Sequence, residues 1–334
     1  MHFFSFIFDA IINNWLVVAF VAPLLWALVN IIDAYFVNSV YRDEYDGATI
    51  TGLFQLLPVV VLLFFVHDKT EFWSANFSNG SFNPALIFAF LAGFLYTCSY
   101  FFYFRALFKN SDVSLLQIIW SLTIVVVPLF TFLLWGEVLP MLKYLGMAVT
   151  LSGVIILSLS STIRAKISSP FLWSIIWALI LLSLGMTLSE RAYVNLDNLG
   201  LGNQGFLIGF IVFSVGALMA GVVAMIMSKR DYLPLVRKYF KVFLILEIIS
   251  FAGTFFSQRA IDIAPSVSYV ATIETFLPIF VIIISAIILF CSIVFHFQQH
   301  RFLTIKRIHD EQLSGIWIKI IATIIMAIGV YIIS

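Results

Sequence analysis

Charge is what this chain has least of. Of its 334 residues only 10% are Asp, Glu, Lys or Arg, 62% are hydrophobic, and the mean hydropathy is +1.09. Soluble domains carry about 25% charged residues, so the shortage excludes water as the main solvent of the fold and points to lipid. A formal net charge of +1, with the basic residues confined to short loops, offers no footprint for a nucleic acid, and no such partner is expected. Cysteine is nearly absent: Cys98 and Cys291 both lie in apolar runs, which excludes a disulfide framework and reads as two small buried thiols. Acidic repeats of the DxxxD or DDxxD kind are missing, which removes the paired metal ligands of a polyprenyl-dependent transferase. We expect no enzyme, no cofactor and no metal centre. His296 and His300, four apart with His309 nearby, have no carboxylate or cysteine beside them to complete a metal site. The apolar stretch 1–13 is too short to span and lacks the basic start and cleavage site of a signal peptide, so it reads as an interfacial segment.

What the chain does have is apolar runs. Stretches of about 20 residues, the length that crosses a hydrocarbon core of about 30 Å, occur at 15–38, 48–66, 83–105, 113–135, 140–160, 170–190, 204–227, 240–260, 266–291 and 315–333. Backbone groups in lipid must be satisfied within the segment, which makes each run a helix. The expected fold is an all-α integral membrane protein of ten transmembrane helices.

Those helices repeat. An offset of 154 takes Arg105-Ala106 to Arg259-Ala260, Val113-Ser114 to Val267-Ser268 and Trp120 to Glu274. Further on, an offset of 176 takes Lys143 to Lys319 and Gly153-Val154 to Gly329-Val330, so the second copy carries 22 extra residues. The organisation expected is a first five-helix repeat at 14–161 and a second at 170–333, the latter with an insertion at about 292–312. Fourteen of the 18 Lys and Arg fall in the loops after the odd-numbered spans, which the positive-inside rule places in the cytoplasm, with both termini outside. Five helices per copy then make the repeats inverted, an architecture of secondary transporters that places the substrate site between the halves. The loop holding the sequons at Asn76 and Asn79 falls outside.

Two segments resemble a known family. The run 115–157, with Gly136-Glu137 and a closing Gly153-Val154, is similar to the end of an EamA-type unit of the drug/metabolite transporter superfamily; 265–280, with Pro278, is similar to the same region of a second unit. Ile124 stands where the first unit would carry the proline and Cys291 where the second would carry the glutamate, for which Glu311 is the displaced candidate. The resemblance implies a central cavity surrounded by helices 1–4 and 6–9, with helices 5 and 10 packing together or forming a homodimer. It also implies cytoplasmic termini, against the charge count, which sets the orientation expected here.

Ionisable residues at membrane depth are costly and therefore candidates for function. Glu247, Ser250, Thr254 and Gln258 share one face of the eighth span, and the corresponding stripe on the third is Gly93, Tyr96, Tyr100 and Phe104. Glu274, opposite Trp120 in the alignment, is accompanied by Gln117, Ser121, Thr272 and Thr275; Pro278 frees the Glu274 carbonyl, marking a local weakness or a packing kink. Trp26, Asn30 and Asp33 share a face of the first span. The substrate-binding set expected is thus Glu247, Glu274, Trp120, Gln117, Tyr96, Tyr100, Trp26, Asn30, Thr254 and Thr272, with Glu247, Glu274 and Asp33 as proton-coupling candidates. Glu190-Arg191 reads as a helix end reaching interfacial water, and Glu137 as a cap on the fifth span.

Aromatic faces beside a carboxylate suit an organic cation. The function expected is secondary active transport of a small organic solute, cationic or aromatic, coupled to protons or to exchange, in a bacterial inner membrane. The alternatives are a flippase for a lipid-linked sugar and, from another class, the intramembrane transferase disfavoured above.

Overall fold

The computed structural model describes residues 13–64, 77–78, 81–109, 116, 120–160, 169–201, 203–294 and 316–334. Gln117, the three histidines, Glu311, the two sequon asparagines and nearly all of the 292–312 insertion lie outside these residues, as does the N-terminal segment up to residue 12. Each of the ten apolar stretches is mainly helical where it is described, with turns at 55, 121–122 and 275–276. The helices are α1 (Trp15–Ser39), α2 (Glu44–Phe54), α3 (Leu56–Leu63), α4 (Pro84–Lys109), α5 (Thr123–Trp135), α6 (Met141–Ser160), α7 (Ser169–Asp197), α8 (Asn203–Ser228), α9 (Leu233–Ile263), α10 (Val267–Glu274), α11 (Leu277–Val294) and α12 (Ile316–Ile333). A two-residue hairpin pairs β1 (Phe77–Ser78) with β2 (Ser81–Phe82).

Among the described residues eight spans are long and apolar enough to cross a membrane, counting α2 with α3 and α10 with α11 as one span each. The chain is therefore a multi-pass, helical membrane protein. The two remaining apolar segments, Thr123–Trp135 of α5 and Met141–Leu157 of α6, are shorter; at 1.5 Å per residue the 13 residues of α5 reach only about 20 Å.

Local signals place the ends. The Asn14 side chain accepts from the amides of Leu16 and Val17 at 3.1 and 3.3 Å, closing the start of α1. Asp43 does the same for α2 through Tyr45. Gly136 ends α5 at φ 68°, a left-handed position that glycine adopts at no steric cost, and its amide and that of Glu137 satisfy the carbonyls of Phe132 and Thr131. Hydropathy alone stops too early for α7 and α9. The first continues seven residues past 190 and the second starts seven before 240, because polar residues near helix ends reach water without ending the helix.

Backbones approach where glycine permits. A Cβ on Gly93 of α4 would lie 1.8 Å from the Phe213 carbonyl oxygen of α8, and one on Gly216 of α8 would lie 2.0 Å from that of Phe90. On α6 and α12, Gly146 meets the Gly329 carbonyl and Gly153 that of Ala322; both pairs of numbers sum to 475, so the two helices run antiparallel. Lys143, at the start of α6, donates to the Ile333 carbonyl at 2.9 Å at the end of α12. In the sequence alignment Lys143, which is half-buried, corresponds to Lys319, which is buried near the start of α12.

Candidate functional site: a central cavity

Three aromatic residues a turn apart on α4 build one wall. Tyr96, Tyr100 and Tyr103 are spaced by four and three, hence on one face, and all are buried. Tyr100 and Tyr103 meet Trp120 edge-on, with ring centroids 6.2 and 5.2 Å apart. Together with Trp26 and Asn30 of α1, residues 121 and 123, Leu182 of α7, Glu274 of α10 and Leu277 of α11, they enclose a cavity of about 30 Å³. That is room for about two waters: the site is nearly closed in this conformation.

Hydrogen bonds orient the wall. Tyr103 donates to Asn30 Oδ1 at 3.1 Å. The Tyr96 hydroxyl bonds both the Tyr100 hydroxyl and Thr254 Oγ1 of α9 at 3.1 Å each. The Ser257 hydroxyl, also on α9, donates to Glu274 Oε1 at 2.7 Å. Among the described residues no salt bridge reaches Glu274. Its charge faces aromatic rings and hydroxyls instead.

The helix that carries Glu274 breaks directly after it. Thr275 and Phe276 form a turn between α10 and α11 in which Phe276 bonds back three residues, to Ile273. Pro278 lies at the second position of α11, where its missing amide leaves no intrahelical bond unmade. The expected weakness at this proline is therefore a true interruption. Residues 121 and 122 form the same kind of turn before α5, although Ile124 stands in place of the proline. Adding 154 carries one turn onto the other, and Trp120 onto Glu274.

Of the residues expected at the site, Trp26, Asn30, Tyr96, Tyr100, Trp120 and Glu274 are brought together around the cavity. Thr254 joins through Tyr96. Thr272 is fully buried and its hydroxyl bonds back to the Ser268 carbonyl, away from any ligand role. Gly93 serves the α4–α8 crossing and Phe104 packs against Gly47 and Tyr41. Glu247 and Asp33 are buried at 4% and 3% exposure but do not line the cavity; the Thr51 hydroxyl of α2 hydrogen-bonds Glu247.

Two expected helix-end roles change. Glu190 does not reach out to water: its Oε1 accepts from the Val267 amide at 2.7 Å and so caps α10, while Arg191 stacks 5.2 Å from the Trp135 ring. Glu137 makes no hydrogen bond to the start of α6 among the described residues; the Leu139 amide there is taken by the Tyr144 hydroxyl. Tyr103 and Ser257 were not anticipated. Their spacing was readable, since Tyr103 continues the Tyr96 and Tyr100 face and Ser257 follows Ser250 and Thr254 at seven and three. Among the described residues no group of three His, Cys, Asp or Glu is arranged to hold a metal ion, and both cysteines are unpaired and half-buried.

Comparison with known proteins bears on the fold. No family model matches the chain, and no curated protein does. A solved structure described as the crystal structure of a protein is similar over 95% of both chains, with a TM-score of 0.58 at 14% identity. At that identity the likeness is one of fold.

Proposed function

We propose that the chain is a secondary transporter of the EamA type, built as two inverted five-helix repeats, that moves a small organic cation or aromatic amine by alternating access. The observation that carries the reading is the lone carboxylate of Glu274, buried among Trp26, Tyr96, Tyr100, Tyr103 and Trp120 with no basic partner among the described residues. A negative charge inside an aromatic box is arranged for a cation that shed its water. The cavity also draws on both halves, residues 26–123 and 182–277, as a site at a repeat interface should.

Several features support the repeat. The interrupted helices match at the 154 offset. Arg105 near the end of α4 reaches Glu44 at the start of α2, and Arg259 near the end of α9 reaches Asn203 at the start of α8. The antiparallel pairing of α6 with α12 is what the last helices of two oppositely directed units would make.

A thermal-shift screen of the purified protein against amines, amino acids, nucleosides and sugar nucleotides tests this. A ligand at 100 times its Kd adds about 2.7 kcal/mol of stability. Aromatic amines should shift the melting temperature of the native protein and leave that of Glu274→Gln unchanged. Stabilisation by sugar nucleotides alone, unaffected by Glu274→Gln, would sink the reading.

A further inference from the structure

A second acidic site lies outside the cavity. Two contacts pin α1 against α9: Trp26 sits on Gly253, and Phe36 meets Phe243 with ring centroids 5.2 Å apart. Both pairs of numbers sum to 279, so the helices run antiparallel and Asp33 falls opposite residue 246, next to Glu247. The two carboxyls interact electrostatically, and both are at least 96% buried. Thr51 of α2 hydrogen-bonds Glu247. Tyr41, which stacks on Phe243 at 6.1 Å, is 6% exposed, interacts electrostatically with both carboxyls and has a buried hydroxyl with no hydrogen-bond partner.

We propose that Asp33 and Glu247 form a proton site, held between α1, α2 and α9 and separate from the solute cavity, that takes up and releases the coupling ion. Two carboxylates side by side in an apolar interior repel each other, and the repulsion is relieved when one proton from water binds a carboxylate oxygen of the pair. The facing titratable groups are Tyr41 from the α1–α2 connection and Tyr96, Tyr100 and Tyr103 from α4. Asp46 of α2 is already bonded to Arg42 and Arg230, and among the described residues no salt bridge reaches Asp33 or Glu247. The Tyr41 hydroxyl, buried and without a hydrogen-bond partner, leaves an uncommitted donor beside the pair. The coupling purpose rests on the transporter reading above; the proton site itself does not.

Infrared difference spectroscopy of the full-length protein in lipid bilayers, acidic minus alkaline, reads protonated carboxyls directly and needs no solute. We expect one titrating carboxyl band that Asp33→Asn and Glu247→Gln each abolish and that survives in Glu274→Gln. Thr51→Val keeps both carboxyls and safeguards against misfolded variants: it should move the midpoint of that band while leaving the other carboxyl signals in place. The proposal is overturned if the band is missing from the native protein or persists in both carboxyl variants. It is equally overturned if sodium chloride in place of choline chloride removes the band, which would make this a sodium site. A failed solute screen would count against the transporter reading and leave this outcome standing.

Discussion

Glu274 has one oxygen committed to Ser257 and a ring of aromatics around it. The charge and the hydrogen bond can therefore be separated. Glu274→Gln keeps the volume and an acceptor for Ser257, so loss of the charge alone should weaken an organic cation by about 10- to 100-fold, the equivalent of about 1.4 to 2.7 kcal/mol. Ser257→Ala leaves the charge and removes one donor, and a smaller loss of about threefold to tenfold is expected. Trp120→Ala takes away the ring nearest the α4 tyrosines and should cost about threefold to thirtyfold for an aromatic cation. Titration calorimetry with the best amine from the thermal screen checks all three. Equal affinity in native protein and Glu274→Gln would mean that the carboxylate is structural. Tyr103 and Ser257 show how the stripes were under-read: both obey the helical period already visible in their neighbours.

At the scale of elements, glycine decides which helices touch. Gly93→Ala would place a methyl against a backbone carbonyl that cannot rotate away, 1.8 Å from the Phe213 oxygen. It should cost at least about 1 to 3 kcal/mol, seen as a lower melting temperature and poor yield. Gly136 offers a contrast, because a Cβ there meets nothing within 4 Å while its φ is 68°. Gly136→Ala should cost about 1 kcal/mol through conformation alone, and Gly136→Asn less, since asparagine tolerates that region. Pro278 was legible as a weak point, and α10 does end there. The matching interruption at residues 121–122 was not, because no proline marks it. That turn has to be held by the packing around it.

On the scale of the whole molecule, charge gathers at one end. Arg42 bonds Asp46 at 3.0 Å, Arg230 bonds Asp43 at 2.5 Å and Asp46 at 3.5 Å, and the fully buried Asp46 side chain ties the α1–α2 and α8–α9 connections together. The Asp43 hydrogen bond holds the Arg230 guanidinium above its ordinary value. At the other end Arg259 bonds Asp262, Asn13 and Asn203. Both ends are fastened around a cavity that holds about two waters, as an occluded state would be. Asp46→Asn should loosen the first clasp, lowering stability by about 1 to 3 kcal/mol and admitting a maleimide to a cysteine placed at Tyr103 from that side only. The Lys and Arg bias predicts that this end faces the cytoplasm. Labelling of a cysteine at Ser228 by an impermeant maleimide should therefore fail on intact cells and succeed on inverted vesicles; strong labelling from outside would reverse the orientation.

The sequence by itself determined the solvent, the spans and the faces. Hydropathy and the 3.6-residue period are local properties, so an apolar run of twenty residues and a polar stripe at three and four survive any arrangement of the helices. Which stripes meet is not local. Asp33 and Glu247 are far apart in the chain and become neighbours because α1 and α9 cross in one register, set by Gly253 beneath Trp26 and by Phe36 on Phe243. The same packing turns Glu274 towards Ser257 and the tyrosines and leaves Glu247 with Thr51, so three carboxyls that read as one cavity occupy two places. Glu190 looked like a helix end because its charge suggested water, and only the tertiary fold supplied the Val267 amide that it caps.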